Sequence, residues 1–177
     1  SIQKVSLPYE LTIDPRDAHR NTVVGLSPED GRLHLSWDHH NNDLRYTKSR
    51  AGFLTSPPEE ISPDDLEPAQ PLTLGAPQKV TYPRFFNDQN ENLYFIYRTG
   101  MSGSGDSVFS RYDARKGIWS VIATCLFSKH GTYGPWDASD SRNAYLHDVL
   151  FDNCGRLHIT WVFRETWESP ASNHDLY

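Results

Sequence analysis

Gly31-Arg-Leu-His-Leu-Ser-Trp-Asp38 alternates in period two, and the chain repeats it twice, as Glu91-Asn-Leu-Tyr-Phe-Ile-Tyr-Arg98 and Gly155-Arg-Leu-His-Ile-Thr-Trp-Val162. Aromatic and β-branched residues in that alternation mark strands that present one face to a core. Each copy follows a turn rich in Asp, Asn or Gly: Pro28-Glu-Asp-Gly31, Asn87-Asp-Gln-Asn90 and Asp152-Asn-Cys-Gly155. Such clusters between apolar runs are hairpin turns.

Working outward, a strand leads into each turn: His19-Arg-Asn-Thr-Val-Val-Gly25, Tyr82-Pro-Arg-Phe-Phe86 and Tyr145-Leu-His-Asp-Val-Leu-Phe151. A further strand recurs as Asp43-Leu-Arg-Tyr46, Phe109-Ser-Arg-Tyr112 and His174-Asp-Leu-Tyr177. His19, Tyr82 and Tyr145 lie 63 and 63 residues apart, and the closing tyrosines 66 and 65 apart. A repeat of this length, made of three or four short antiparallel strands, is the unit of a β-propeller blade, which buries its faces against its neighbours. The expected fold is therefore all-β, a single partial propeller domain over 1–177 with blade repeats near 17–74, 80–127 and 143–177. Rings of this type use roughly four to eight blades, so three leave the ring open. A second chain or a missing segment is expected to complete it, and the stop at Tyr177 inside a third strand and the start at Ser1 without Met read the same way. Ser49 to Leu74, rich in Pro, Glu and Ser, reads as a long loop, and Thr99 to Asp106 as a flexible one.

Composition narrows the functional classes. Aromatic residues make up 12% of the chain, well above what a disordered segment carries. The formal charge of −6, with no Lys/Arg cluster to offset it, argues against nucleic acid and anionic membranes as partners. No apolar run approaches the roughly 20 residues of a membrane helix. Cys125 and Cys154 fit one disulfide or two buried thiols equally well.

Rotation about a propeller axis brings equivalent positions of successive blades to one end. His19, Tyr82 and Tyr145 are such positions. Aligning the second strands puts Asp38, Arg98 and Val162 in register, and the same parity adds His40, Gly100 and Arg164. Taken singly, a tyrosine in a blade is most often core and a histidine is most often structural. Scaffold positions stay alike across the repeats (Leu33, Leu93, Leu157; Trp37, Tyr97, Trp161), whereas these positions differ in type, which is how a repeat diversifies at a site. Asp38-His39-His40 with His19 supplies metal-ligating types, but the spacing fits no standard zinc signature. His130, His147 and His158 read as structural or exposed.

The segments Asp17-Ala-His19, Leu35-Ser-Trp-Asp-His-His40 with Leu44-Arg-Tyr46, Val80-Thr-Tyr-Pro-Arg84, Tyr97-Arg98, Asn143-Ala-Tyr145 and Asn173-His-Asp-Leu-Tyr177 resemble the BNR-repeat seven-bladed propellers. That group includes ulvan lyases and fungal rhamnose-glucuronate lyases. The resemblance covers almost the whole chain and the N-terminal half of such a propeller. It implies an extracellular enzyme that cuts a uronate-containing polysaccharide by β-elimination, with His19, His40, Tyr82 and Arg98 catalytic; blade equivalence adds Tyr145 and Arg164, with His39, as substrate-binding positions. His39 and His40 compete for the second histidine role; strand parity favours His40. Some relatives are α-L-rhamnosidases and some carry a structural metal, so a hydrolase and a metal ion stay open beside the lyase, as does a sugar-binding propeller without catalysis. Elimination needs a cation on the carboxylate, a base for the C5 proton and an acid for the leaving oxygen. Arginine, histidine and tyrosine supply these, whereas a hydrolase is expected to flank the bond with paired carboxylates.

Overall fold

The computed structural model describes residues 2–12, 14, 16–70, 79–127, 142–165, 168 and 170–176. Eleven strands are defined among them: β1 Thr22–Ser27, β2 Arg32–Trp37, β3 His40–Asp43, β4 Tyr46–Lys48, β5 Lys79–Asn87, β6 Leu93–Thr99, β7 Ser107–Asp113, β8 Ile118–Ala123, β9 Asn143–Phe151, β10 Leu157–Arg164 and β11 Asn173–Leu176. The only helical turns among the described residues are two short 3-10 segments, Pro63–Asp65 and Pro170–Ser172. The fold is all-β and propeller-like, with three antiparallel sheets ordered β1-β2-β4, β3-β5-β6-β7-β8 and β9-β10-β11. No helix among the described residues is long and apolar enough to cross a membrane.

The three signature strands become β2, β6 and β10, each paired with the strand that leads into its turn. The turns need a left-handed residue just before the second strand, and the repeat places Gly31 (φ 64°), Glu91 (φ 62°) and Gly155 (φ 75°) there. Glycine takes that conformation without a Cβ clash.

The sheets stack through their alternating faces. β6 is the clearest case, because it lies inside the middle sheet and is covered on both sides. Leu93, Phe95 and Tyr97 face the first sheet, packing with Tyr46, Val80, Tyr112 and Trp119. Tyr94 and Ile96 face the third, packing with Phe109 and Val149. A polar link crosses the first of these cores: His34 Nδ1 lies 2.7 Å from the Tyr46 hydroxyl, which also accepts from Trp119 Nε1 at 3.0 Å. Buried polar atoms paired in this way cost little and fix the register of one sheet against the next.

Sheet boundaries do not follow repeat boundaries. The sequence suggests that His40 continues the second strand of the first blade, in parity with Gly100 and Arg164. Instead β2 ends at Trp37, the backbone turns through left-handed conformations at Asp38 (φ 59°) and Asn41 (φ 55°), and β3 joins the next sheet, pairing His40 with Thr81 of β5. The loop over Ser49–Leu74 is tied down in its described part by the bridge Ser49↔Leu66 and the 3-10 turn; positions 71–74 lie outside the described residues. Thr99–Asp106 is also fastened, by the Met101↔Ser104 bridge and the Thr99 N–H donating to Asp106 O at 2.8 Å. Cys125 and Cys154 are exposed and form no disulfide with each other. His147 and His158 are exposed as expected, His158 beside Asp152, while His130 and Tyr177 lie outside the described residues.

Candidate functional site

Strands β3, β5, β6, β9 and β10, the 99–106 loop and the chain before β1 converge on one cavity of about 450 Å³. Of the residues singled out in the sequence, His19, His40, Tyr82, Arg98, Tyr145 and Arg164 line it together. His39 does not. It is fully buried, with Nε2 3.1 Å from Ser36 Oγ and within 3.2 Å of the Arg45 backbone, so it braces the turn between β2 and β4. Burial drives its pKa down to about 4, the state expected of a neutral structural imidazole.

The cavity wall is a row of rings. His40 stacks on His19 with centroids 4.1 Å apart, His19 meets Tyr82 at 5.3 Å, and Tyr82 meets Tyr145 edge-on at 6.2 Å. Tyr82 reaches this position through a β-bulge. The β5–β6 register slips between Thr81 and Arg84, and Tyr82 takes φ 56°, a conformation uncommon for an aromatic residue. The bulge turns the ring out of the pleat and leaves it 41% exposed. Strain of this kind persists where the surroundings impose it, commonly at functional sites. Burial raises the Tyr82 phenol above its ordinary value, and Tyr145 adds to the shift while Arg164 and Arg98 oppose it.

Two guanidinium groups complete the wall. Arg98 lies 4.5 Å from the Tyr145 ring centroid and Arg164 lies 4.1 Å from it. Arg164 is further held by Ser102 Oγ at 3.0 Å, the Tyr145 hydroxyl at 3.1 Å and Asn173 Oδ1 at 2.8 Å. Arg98 is only 5% exposed. It donates to Met101 O at 2.9 Å and to Asn143 Oδ1 at 3.4 Å, its Nε has no partner, and no carboxylate pairs with it among the described residues. Burial pulls its pKa below the ordinary arginine value and the Arg164 charge adds to this, while Tyr145, Tyr82 and Asp106 oppose it. A buried cation with no directly paired carboxylate is unfavourable, so the cavity suits an anion. None of its lining residues is acidic.

Sequence reasoning missed two residues behind the wall. Asn143, fully buried at the start of β9, accepts from Gly105 N at 2.9 Å as well as from Arg98, and its amide donates to Gly103 O, folding the 99–106 loop onto the guanidinium. Gly105 is required by this closeness, since a Cβ there would lie 1.8 Å from Thr99 O and 2.9 Å from Arg98 Cζ. The second is Asp17, whose Oδ1 lies 2.8 Å from His19 Nδ1 and whose Oδ2 lies 2.7 Å from His40 Nδ1. The available signals were modest: Asn143 sits two residues before Tyr145 on the same strand face, and Asp17 two residues before His19, the spacing of an Asx turn.

Asp17, His19 and His40 are close enough to hold a cation. Their bonding argues otherwise. Both carboxylate oxygens are occupied by ring nitrogens, and Oδ2 also lies 2.8 Å from Arg20 Nε. A cation there would displace both hydrogen bonds and face a guanidinium, so the donor set fits a hydrogen-bonded cluster better than a metal site.

The scaffold is all-β and propeller-like, with a cationic, ring-lined cavity. The chain belongs to the BNR repeat-containing family, whose model matches residues 1–177. It is similar to the long isoform of ulvan lyase from Alteromonas sp. (strain LOR), 28% identical over 136 residues, covering 60% of this chain and 14% of that protein. In three dimensions it matches polysaccharide lyase Uly1 with a TM-score of 0.75 at 20% identity, covering 98% of this chain and 43% of that one. It also matches a PL25 ulvan lyase bound to -[GlcA(1-4)Rha3S]-, with a TM-score of 0.57 at 18% identity, covering 89% and 35%. The chain thus spans less than half the length of each of these relatives.

Proposed function

We propose that this chain forms the catalytic part of an extracellular polysaccharide lyase that cleaves a uronate-containing polymer, of the ulvan or rhamnose-glucuronate type, by β-elimination. In this reading it contributes three blades of a seven-bladed ring, the rest coming from a second chain or from sequence beyond these residues. The observation that carries the proposal is Arg98, a buried guanidinium with no paired carboxylate among the described residues, set beside two histidines and a tyrosine in a cavity whose described lining holds no acid.

Arg98 takes the uronate carboxylate and stabilises the charge that spreads into it as the C5 proton leaves. That proton passes to an imidazole Nε2, with His19 the nearer ring to Tyr82. The C5–H electron pair becomes the C4=C5 double bond and the C4–O bond breaks. The departing oxygen collects the proton of Tyr82, whose raised pKa keeps it protonated in the resting protein. Imidazolium then returns its proton to the phenolate. Tyr145 and Arg164 hold the neighbouring part of the polymer. A hydrolase is disfavoured because the acids nearest the histidines are engaged: Asp17 is bonded to both of them, and Asp38 is no better placed. It is buried and neutralised by Arg20 and Arg45, and it does not line the cavity.

The test is incubation with ulvan and with arabinogalactan while following absorbance of the unsaturated uronate near ~235 nm, the signature of elimination chemistry. A rise on either polymer supports the proposal. New reducing ends without absorbance would indicate hydrolysis, and binding without cleavage a lectin.

A further inference from the structure

The two cavity histidines are held by a single side chain that nothing above makes part of the reaction. Asp17 sits in a tight turn, with its N–H on Asp14 O at 3.1 Å and its Oδ1 accepting the His19 N–H at 3.1 Å. That Asx-type bond fixes the carboxylate relative to the backbone that carries His19. The same Oδ1 meets His19 Nδ1, and the other oxygen meets His40 Nδ1, 23 residues away on β3. Arg20 forms ion pairs with Asp17 Oδ2 and with the buried Asp38 Oδ1, at 2.8 and 3.1 Å. Hydrogen bonds from the two rings outweigh the effect of burial and hold the Asp17 carboxyl well below the usual carboxylate range, so it is an acceptor only.

We infer that Asp17 is the positioning residue of this site: one carboxylate clamps both imidazoles in the Nδ1–H tautomer, stacked, and leaves both Nε2 atoms as the working nitrogens. An ionised carboxylate can only accept, so each Nδ1 that contacts it must carry the proton. Neither Nε2 has a protein partner among the described residues. The arrangement doubles the usual carboxylate–imidazole pair, in which the acid sets tautomer and orientation for the ring that does the chemistry. What the rings do rests on the elimination reading above; how they are held does not.

Asp17→Asn separates these possibilities. An amide has one accepting and one donating end, so it can keep one Nδ1–H contact but must present an N–H to the other ring, which then has to move its proton to Nε2. Long-range nitrogen–proton NMR of the imidazoles in the intact protein should show both rings as Nδ1–H before substitution and one as Nε2–H after it. On a uronate polymer, kcat should fall by about 10²-fold or more, as for loss of a positioned proton-transfer group, while KM stays within about threefold. Asp17→Glu, which restores two accepting oxygens, should recover both tautomers and part of kcat, and it guards against an amide variant that folds poorly. Two Nε2–H rings in the unsubstituted protein, or an Asn variant with unchanged kcat, would overturn the clamp. So would loss of the tautomer pattern on chelating divalent cations, which would mean a metal holds the rings. The expected tautomers in a protein that releases no unsaturated uronate would support the clamp and reject the lyase reading.

Discussion

His39 and His40 are neighbours in sequence and opposites in the molecule. His40 is exposed, stacked on His19 and bound to Asp17 at the cavity, while His39 is buried against Ser36 and the Arg45 backbone. His34, earlier in β2, shares the fate of His39: it is fully buried and bonded to Tyr46 in the seam between the first two sheets. The left-handed turn at Asp38 separates the two destinies, because it takes the chain out of one sheet and delivers it to the next. Residue type therefore says little here about role. The position of a backbone turn decides which imidazole packs and which one faces the cavity.

The comparison predicts opposite phenotypes. His19→Ala and His40→Ala should each reduce kcat by about 10²- to 10⁴-fold, the range for a positioned acid or base, with thermal unfolding little changed. Normal turnover in either variant would break the contrast. Arg98→Lys should keep the charge but lose about 10²- to 10³-fold in rate, because a single ammonium cannot span both carboxylate oxygens. Near-normal kinetics would make Arg98 a packing residue. His39→Ala should show the reverse pattern, losing about 1–3 kcal/mol of stability through unpaired buried partners, measured by urea unfolding, with kcat preserved while the protein is folded.

Acid titration sharpens the same contrast from the buried side. Burial pushes His34 down to about 3 and His39 down to about 4, so both stay neutral in the folded protein while an unfolded chain would protonate them near 6.5. Between pH 6.5 and 4 the unfolded state binds more protons, and stability must fall as pH falls. The slope is up to about 1.4 kcal/mol per pH unit for each ring, and below 4 only His34 still contributes. Urea midpoints at pH 7.5, 6.5, 5.5 and 4.5 should show this slope, reduced in His39→Gln. An equal slope in that variant would remove His39 from the account. Asn143→Ala should likewise cost about 1–3 kcal/mol of stability for the unmatched groups it leaves, measured by urea unfolding, and raise KM once the 99–106 loop loses its anchor.

Much of this layout was legible in the repeat. The 63-residue spacing of His19, Tyr82 and Tyr145 brings three side chains to one cavity because equivalent strands start at the same end of stacked sheets. The period-two pattern of Leu93 to Arg98 likewise marks a strand covered on both faces. His40 was reached by strand parity, yet it arrives by another route, through a turn and a strand exchange that alternation cannot reveal. Tyr82 owes its exposure to a bulge, which carries no reliable signature in a single sequence. Asp17 and Asn143 act through contacts 23 and 45 residues away in the chain, and local pattern is blind to partners at that range. The 99–106 loop looked flexible because glycine and serine dominate it, but the same small residues let it close over Arg98.

The strand exchange at β3 has a consequence for how such a protein can be cut and rejoined. A sequence repeat invites the idea of interchangeable modules, with borders drawn near residue 74 or 79. Splitting the chain there would strip β5 of its edge partner and carry His40, together with the Asp17 turn, away from the sheet that β3 joins. The heritable unit is thus larger than the repeat: a duplicated or transplanted blade would keep its fold signature but lose half of the cavity wall. Recombination that preserves the cavity must keep all three repeats together, because Tyr145 and Arg164 come from the third.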